Sequence, residues 1–244
     1  MKAKPTLSSI EGTWRFNDNV AENFDKHVNQ SIPHYKDIQQ YVTSLSEWFI
    51  KDNTIIYDLG CSTGETIKNI CKLKVSTNFK IIGYDNSNKM ISLAKKKLNL
   101  RKTSIKNGRI KIQLKSLDVL KIKKFKRSNL FISILLFPFL NLFERKKLLK
   151  NIYKSLSPGG GFIFVEKIRS RNSHFEDILN QMYFDFKLRK KLSEKQILNK
   201  SKSLRSSMHL FDQNTTQALL KDCKFKNFEV FYKCFNFIGY IAIK

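Results

Sequence analysis

Five short apolar runs, with helical stretches between most of them, constrain this chain more than any other feature. Thr54–Asp58, Lys80–Asp85, Arg109–Leu114, Asn129–Leu136 and Gly161–Glu166 read as strands. Helices are predicted from about Gly64, from Ser87 to about Leu98, and over Glu144–Leu156, where Ser157-Pro158-Gly159-Gly160 supplies a stop. Strands joined through helices pair in parallel by right-handed crossovers, and a sheet of that kind is buried on both faces. The chain closes differently. A helix over Asn214–Cys223 leads to strands around Asn227–Tyr232 and Phe235–Ile243, with too short a gap for a crossover, so this last pair is antiparallel.

Two helical appendages flank that core. Upstream, one helix runs onward from Val20 and a second spans Ile32–Ile50. In the second, Ile38, Tyr41, Val42, Leu45, Trp48 and Phe49 recur at three- and four-residue steps, and Pro33 fits the first turn. Downstream, Arg169–Met208 is Lys-rich and strandless, and reads as a helical insertion lying over the sheet's edge. The expectation is one α/β domain over residues 1–244, with residues 1–52 as N-terminal helical appendage and residues 169–210 as insertion.

Composition narrows the function classes. Lys and Arg total 46 against 20 Asp and Glu, a net charge of +26 that invites a polyanion partner. Only 9 of the 46 are Arg, however, and Arg is the residue that clamps phosphates and reads bases bidentately. No basic surface interleaved with stacking aromatics is evident, so direct nucleic-acid binding is not expected. The most apolar stretch, Leu130–Leu140, contains Pro138 and is too short to span a bilayer. Met1–Gly12 has no apolar segment of the kind a signal peptide needs, which points to the cytoplasm. Cys61, Cys71, Cys223 and Cys234 form no C-x-x-C pair and read as free thiols, with no metal site. The histidines are scattered: His27 and His174 read as solvent-facing, and only His34, beside Tyr35, lies near a candidate site residue.

The chemistry concentrates at strand ends. Asp58-Leu59-Gly60-Cys61-Ser62-Thr63-Gly64 closes the first strand. Gly60 permits a sharp turn and Gly64 lets the next helix start close to the sheet, its N–H groups facing a ligand carboxylate. Ser62 stands where the usual G-x-G has its second glycine. Asp85 ends the second strand, placed to accept both hydroxyls of a ribose, with Ser87 available as the helix cap. Asp118 follows the third strand, where a carboxylate can accept from an adenine amino group. Together these three positions predict a nucleoside ligand. The antiparallel end favours S-adenosyl-L-methionine (SAM) over a dinucleotide, on the Rossmann-like fold of class I SAM-dependent methyltransferases.

A narrower resemblance overlies that fold. Phe16–Phe24, Gln30–Tyr35, Tyr57–Ser62, Asp85-Asn86-Ser87, Ser157–Gly160, Glu166-Lys167, Asp185-Phe186-Lys187 and Cys234–Phe237 resemble the carboxy-S-adenosyl-L-methionine synthase family, from about Phe16 to the end of the chain. The resemblance implies a homodimeric enzyme that converts SAM and prephenate to carboxy-SAM and phenylpyruvate. A downstream tRNA-modifying enzyme then uses the product to make 5-oxyacetyluridine at wobble positions. It also implies SAM contacts at Tyr35, at Gly60, Cys61 and Ser62, at Asp85 and Asn86, and at Asp118 and Val119. Tyr35 is expected to cap the site like a lid. Two positions depart from the pattern: Ser133 stands for an Asn at the end of the fourth strand, and Ser201 for the Arg that binds the added carboxylate. Serine cannot form that ion pair. Arg205, one helical turn on, and Lys202 are the candidate replacement cations. A SAM-dependent methyltransferase acting on a small molecule or RNA is the alternative reading.

Overall fold

The structure, a computed structural model, describes residues 24–75, 77–99 and 110–244. The first appended helix is expected to begin at Val20, and the third strand at Arg109. Both starts lie outside the described residues, as does most of the Phe16–Phe24 motif. Among the described residues two helices, α1 (Phe24–Ser31) and α2 (Tyr35–Glu47), precede the sheet. The core then runs β1 (Thr54–Leu59), α3 (Glu65–Ile70), β2 (Phe79–Asp85), α4 (Asn88–Lys97), β3 (Ile110–Ser116), β4 (Ser128–Ile134), α5 (Leu142–Ser155) and β5 (Leu156–Lys167). After it come α6 (Ser173–Arg189), α7 (Glu194–Ser203), α8 (Gln213–Asp222), β6 (Asn227–Cys234) and β7 (Phe237–Ile243). Among the described residues seven strands form one sheet in the order β3-β2-β1-β4-β5-β7-β6, in which β7 runs opposite to the other six.

Alternation along the strands explains the two cores. Ile56, Ile81, Leu130, Ile132 and Ile163 face one side, under Ile38 and Val42 of α2 and Ile67 and Ile70 of α3. Their neighbours Tyr57, Ile82, Phe131, Phe162 and Phe164 face the other, under α5 and α8. Polar side chains inside this sandwich need partners. Arg145 of α5 and Glu166 of β5 meet at 2.6 Å, with side chains only 1% and 0% exposed. Thr216 of α8 donates to the other Glu166 oxygen at 2.8 Å, and Arg145 also donates to the carbonyl of His209 at 2.8 Å. One buried network therefore binds α5, β5, α8 and the chain returning from the insertion.

Two expectations change in detail. The second helix begins at Tyr35, not Ile32, because His34 takes a left-handed φ of 51°. Pro33 lies in the turn before it, where its carbonyl accepts from the Tyr232 hydroxyl at 2.8 Å. Ser157–Gly160 follows the end of the helix, as expected, yet also belongs to the strand, expected only from Gly161. It opens β5, drawn into the sheet by Gly159 N–H donating to the Lys244 carbonyl at 2.9 Å and Lys244 N–H donating to the Gly160 carbonyl at 3.0 Å. The insertion packs on the β6–β7 end of the sheet, where Asn236 donates to Asn180 of α6 at 2.8 Å. Tyr183 of α6 donates to the Ser31 carbonyl of α1 at 2.7 Å and packs on Phe237 with ring centres 5.3 Å apart, so α6 lies beside α1 at the end of β5. Among the described residues no helix is long and apolar enough to cross a membrane.

Replacing Arg145 by Met leaves the Glu166 carboxylate buried without its cation, so R145M should lose about 3–5 kcal/mol of stability. The shift of the urea unfolding midpoint at constant slope measures it.

Candidate active site

β2 lies on one side of β1 and β4 on the other, so a crevice opens where the strand order reverses. A cavity of about 640 Å³ occupies it, within the size range of small-molecule sites. Its walls include Tyr35, Asp58, the Gly60–Thr63 turn, Asp85-Asn86-Ser87, Asp118-Val119, and Ile134 and Leu135 from the end of β4 and its exit. Lys167, Tyr183 and Lys200 close the far side. Of the residues expected at the site, Tyr35, Gly60, Cys61, Ser62, Asp85, Asn86, Asp118 and Val119 are thus brought together. Ser133, Ser201, Lys202 and Arg205 are not among the lining residues.

The turn after β1 is shaped by close contacts. Gly60 and Gly64 adopt φ of 77° and 76°, and a Cβ on them would come within 3.3 Å of the Leu136 Cβ and 3.2 Å of the Ala94 Cβ. Between them Ser62 also takes a left-handed φ, 48°, which accounts for the glycine usual at this position. Backbone N–H groups of Gly60 and Cys61 both donate to the Tyr84 carbonyl, at 2.8 and 2.9 Å, tying the turn to β2. Cys61 is packed beneath it, and burial drives its thiol well above the usual range, so it is no nucleophile. The helix that follows, α3, is only six residues long with Glu65 in its first turn. Its N-terminus is therefore a poor carboxylate site, contrary to the expectation.

The carboxylates divide their work. Asp85 is oriented by two backbone donors, Ser87 N–H to Oδ1 at 2.9 Å and Ser62 N–H to Oδ2 at 3.0 Å. A carboxylate has acceptor sites to spare beyond these, enough for a ribose diol. The cap role falls to Ser87, whose hydroxyl accepts from Met90 N–H. Asp118 holds the start of a short 3-10 turn through Leu120 N–H at 2.9 Å. Asp58 is only 2% exposed, and its Oδ2 is buried without a hydrogen-bond partner. Burial first, and then the charge of Asp85, push Asp58 up to about 7. An orphaned, cavity-facing carboxylate of this kind fits the ammonium of a methionine moiety, so the residues present suit an S-adenosyl ligand.

Helices cover the opening. Tyr35 sits in a relay in which Gln39 donates to its hydroxyl at 2.9 Å and Thr66 donates to the Gln39 oxygen at 3.0 Å. Asp25 of α1 accepts from Thr63 at 2.7 Å and from Lys97, which also donates to Glu65 at 2.9 Å. That network fastens α1 to the turn after β1. Opposite, α7 ends at Ser203, so Arg205 falls in the turn beyond it, and neither Ser201 nor Arg205 lines the cavity. Ser201 and Arg205 are exposed. Lys200, next to Ser201 in sequence but rotated about 100° around the helix, is the residue that enters the cavity wall. His27 is not solvent-facing: its Nε2 accepts from Lys200 at 2.5 Å, and burial holds it down to about 4, a neutral ring. His34 instead pairs with Asp37 at the surface. Sequence reasoning missed Lys167, Tyr183 and Lys200. Glu166-Lys167 and Asp185-Phe186-Lys187 carried the only hint, as motifs of the resemblance.

Known proteins share this architecture and much of this sequence. A family model described as "Methyltransferase domain" matches residues 50–220. The chain is 34% identical over 232 residues to a carboxy-S-adenosyl-L-methionine synthase of Staphylococcus epidermidis, covering 95% of this chain and 97% of that one. It is 32% identical over 244 residues to the like-named protein of Sulfurimonas denitrificans, covering 100% of both. Among solved structures, the plantazolicin methyltransferase in complex with SAH superposes with a TM-score of 0.62 at 14% identity, over 93% of this chain and 91% of that one. The magnesium protoporphyrin IX methyltransferase of Synechocystis with bound SAH gives 0.58 at 13% identity, over 94% of this chain and 95% of that one. These superpositions establish the fold, a class I SAM-methyltransferase sheet.

Two measurements probe the turn and the orphan acid. Ser62→Gly relieves a left-handed serine and should stabilise the protein by up to about 1 kcal/mol in urea unfolding, with ligand affinity retained. Below pH 7 the free protein holds a proton on Asp58 that a ligand ammonium must displace. Affinity for S-adenosylhomocysteine should therefore fall with pH below 7, approaching about tenfold per unit. Asp58→Asn should flatten that dependence in calorimetric titrations.

Proposed function

The chain belongs to the carboxy-S-adenosyl-L-methionine synthase family, and on that premise we propose that it makes carboxy-SAM from SAM and prephenate, releasing phenylpyruvate. The observation that carries this reading is near-full-length identity to proteins of that name, joined to a cavity with acids at one end and lysines at the other. Acids suit the nucleoside, ammonium and sulfonium of SAM. Lysines suit a carboxylate-rich second reactant.

The bonds balance. The C–CO2 bond of prephenate breaks as its ring aromatises and expels hydroxide. The SAM methyl group loses a proton and gains CO2, and the proton and hydroxide leave together as water. The sulfonium supplies the activation of that methyl carbon. This chain's residues supply the rest: Asp85, Asn86 and Asp118 hold the nucleoside, and Asp58 receives the ammonium. Tyr35, α1, α6 and α7 keep water from the crevice, so that CO2 is captured before it escapes. The product then feeds 5-oxyacetyluridine formation in tRNA by a second enzyme in the cytoplasm, and the synthase acts as a homodimer. The strong net positive charge needs no nucleic acid bound to this chain.

Plain methyl transfer is the second reading, favoured by Ser201 standing where the resemblance places a carboxylate-binding Arg. Incubating the protein with SAM and prephenate decides between them by mass spectrometry. A SAM derivative heavier by one CO2, formed in step with phenylpyruvate, is expected. Recovery of unchanged SAM with prephenate intact would sink the synthase reading.

A further inference from the structure

Three lysines from three elements gather on the side of the cavity away from Asp58 and Asp85. Lys167 ends β5, Lys187 lies in the last turn of α6, and Lys200 lies near the end of α7. The Nζ atoms of Lys167 and Lys187 approach the centre of the Tyr183 ring to 4.9 and 4.2 Å. Lys167, Tyr183 and Lys200 all line the cavity. Lys200 is aimed by its 2.5 Å hydrogen bond to Nε2 of His27, whose ring burial keeps neutral.

Bringing these amines together raises the cost of each charge, and a bound anion offsets it. Burial first, then Lys187 and Lys167, lower Lys200 to about 7, and burial and Lys167 lower Lys187 to about 8. Lys167 is lowered too, by burial, against the opposing charge of Glu176. The acids at the other end do not relieve the cluster: Asp58 is shifted by burial and Asp85, with no lysine contribution. A wall that concentrates positive charge against its own electrostatics, on a cavity, has the makings of an anion subsite.

We propose that Lys200 and Lys167 form the carboxylate subsite of this cavity, in place of the arginine that the resemblance puts at position 201. The assignment rests on the synthase reading for the identity of its second reactant. The carboxylate is that of the second reactant, because the methionine carboxylate shares a carbon with the ammonium that Asp58 receives and so belongs to the acid end.

Lys200→Met, Lys200→Arg and Lys167→Met are compared with the unmodified chain by calorimetry. The ligands are S-adenosylhomocysteine, 5′-methylthioadenosine (the same nucleoside without an amino-acid carboxylate), and prephenate added to protein saturated with S-adenosylhomocysteine. K200M and K167M should each weaken prephenate roughly tenfold or more, the loss of a charge-assisted bond. Methylthioadenosine and S-adenosylhomocysteine binding should stay unchanged, and K200R should recover most of the prephenate affinity. The proposal is overturned if prephenate does not weaken, if S-adenosylhomocysteine weakens instead, or if methylthioadenosine weakens equally. Unmodified protein that forms no carboxy-SAM would remove the synthase reaction, while these binding arms still decide the lysines.

Discussion

Burial of the sheet on both faces is the constraint on which the rest depends. With α2 and α3 on one side and α5 and α8 on the other, the central strands offer apolar side chains everywhere except at their ends. Polar chemistry can therefore meet a ligand only where strands stop and the strand order reverses. Asp58, Asp85 and Asp118 occupy that rim, and the left-handed turn from Gly60 to Gly64 clears room for a ligand against it. A polar network does sit inside the sandwich: Arg145 pairs with Glu166 and donates to the His209 carbonyl, and Thr216 donates to Glu166.

That network connects fold to site. Glu166 and Lys167 are adjacent on β5 and point to opposite faces, one into the Arg145 network and the other to the cavity. The same strand end thus anchors the chain returning from the insertion and presents a cation to the cavity. Across the cavity, α1 is held to the β1 turn by Asp25, Thr63 and Lys97, and to the insertion by Tyr183 and by His27 with Lys200. The appendages are the upper half of the site, joined to each other and to the sheet by side chains that also meet the ligand space. The likeness to the carboxy-SAM synthases covers these appendages as well as the sheet.

Much of this was legible in the sequence. Strand runs at Thr54 and Lys80 and the antiparallel close after Asn227 follow from local periodicity and gap length, which need no tertiary information. The acid positions followed too, since a carboxylate at a strand's end has few other uses. Boundaries were less legible. His34 sets the start of α2 by a backbone conformation with no sequence signature, and Ser157–Gly160 joins β5 only because Lys244, at the far end of the chain, supplies the hydrogen bonds.

The sequence by itself determined the layered α/β core and the nucleoside end of the cavity, because periodicity and strand-end acids are local properties. It could not single out the cations. Thirty-seven lysines look alike along the chain, and the choice between Ser201, Lys202, Arg205 and Lys200 turns on where α7 stops and how it is rotated. Both are set by packing against α1, where His27 meets Lys200, and by the Arg145 network that brings the chain back to the core. The tertiary structure alone decided that Lys200 and Lys167 line the cavity, since a side chain's direction is fixed by contacts between segments far apart in sequence.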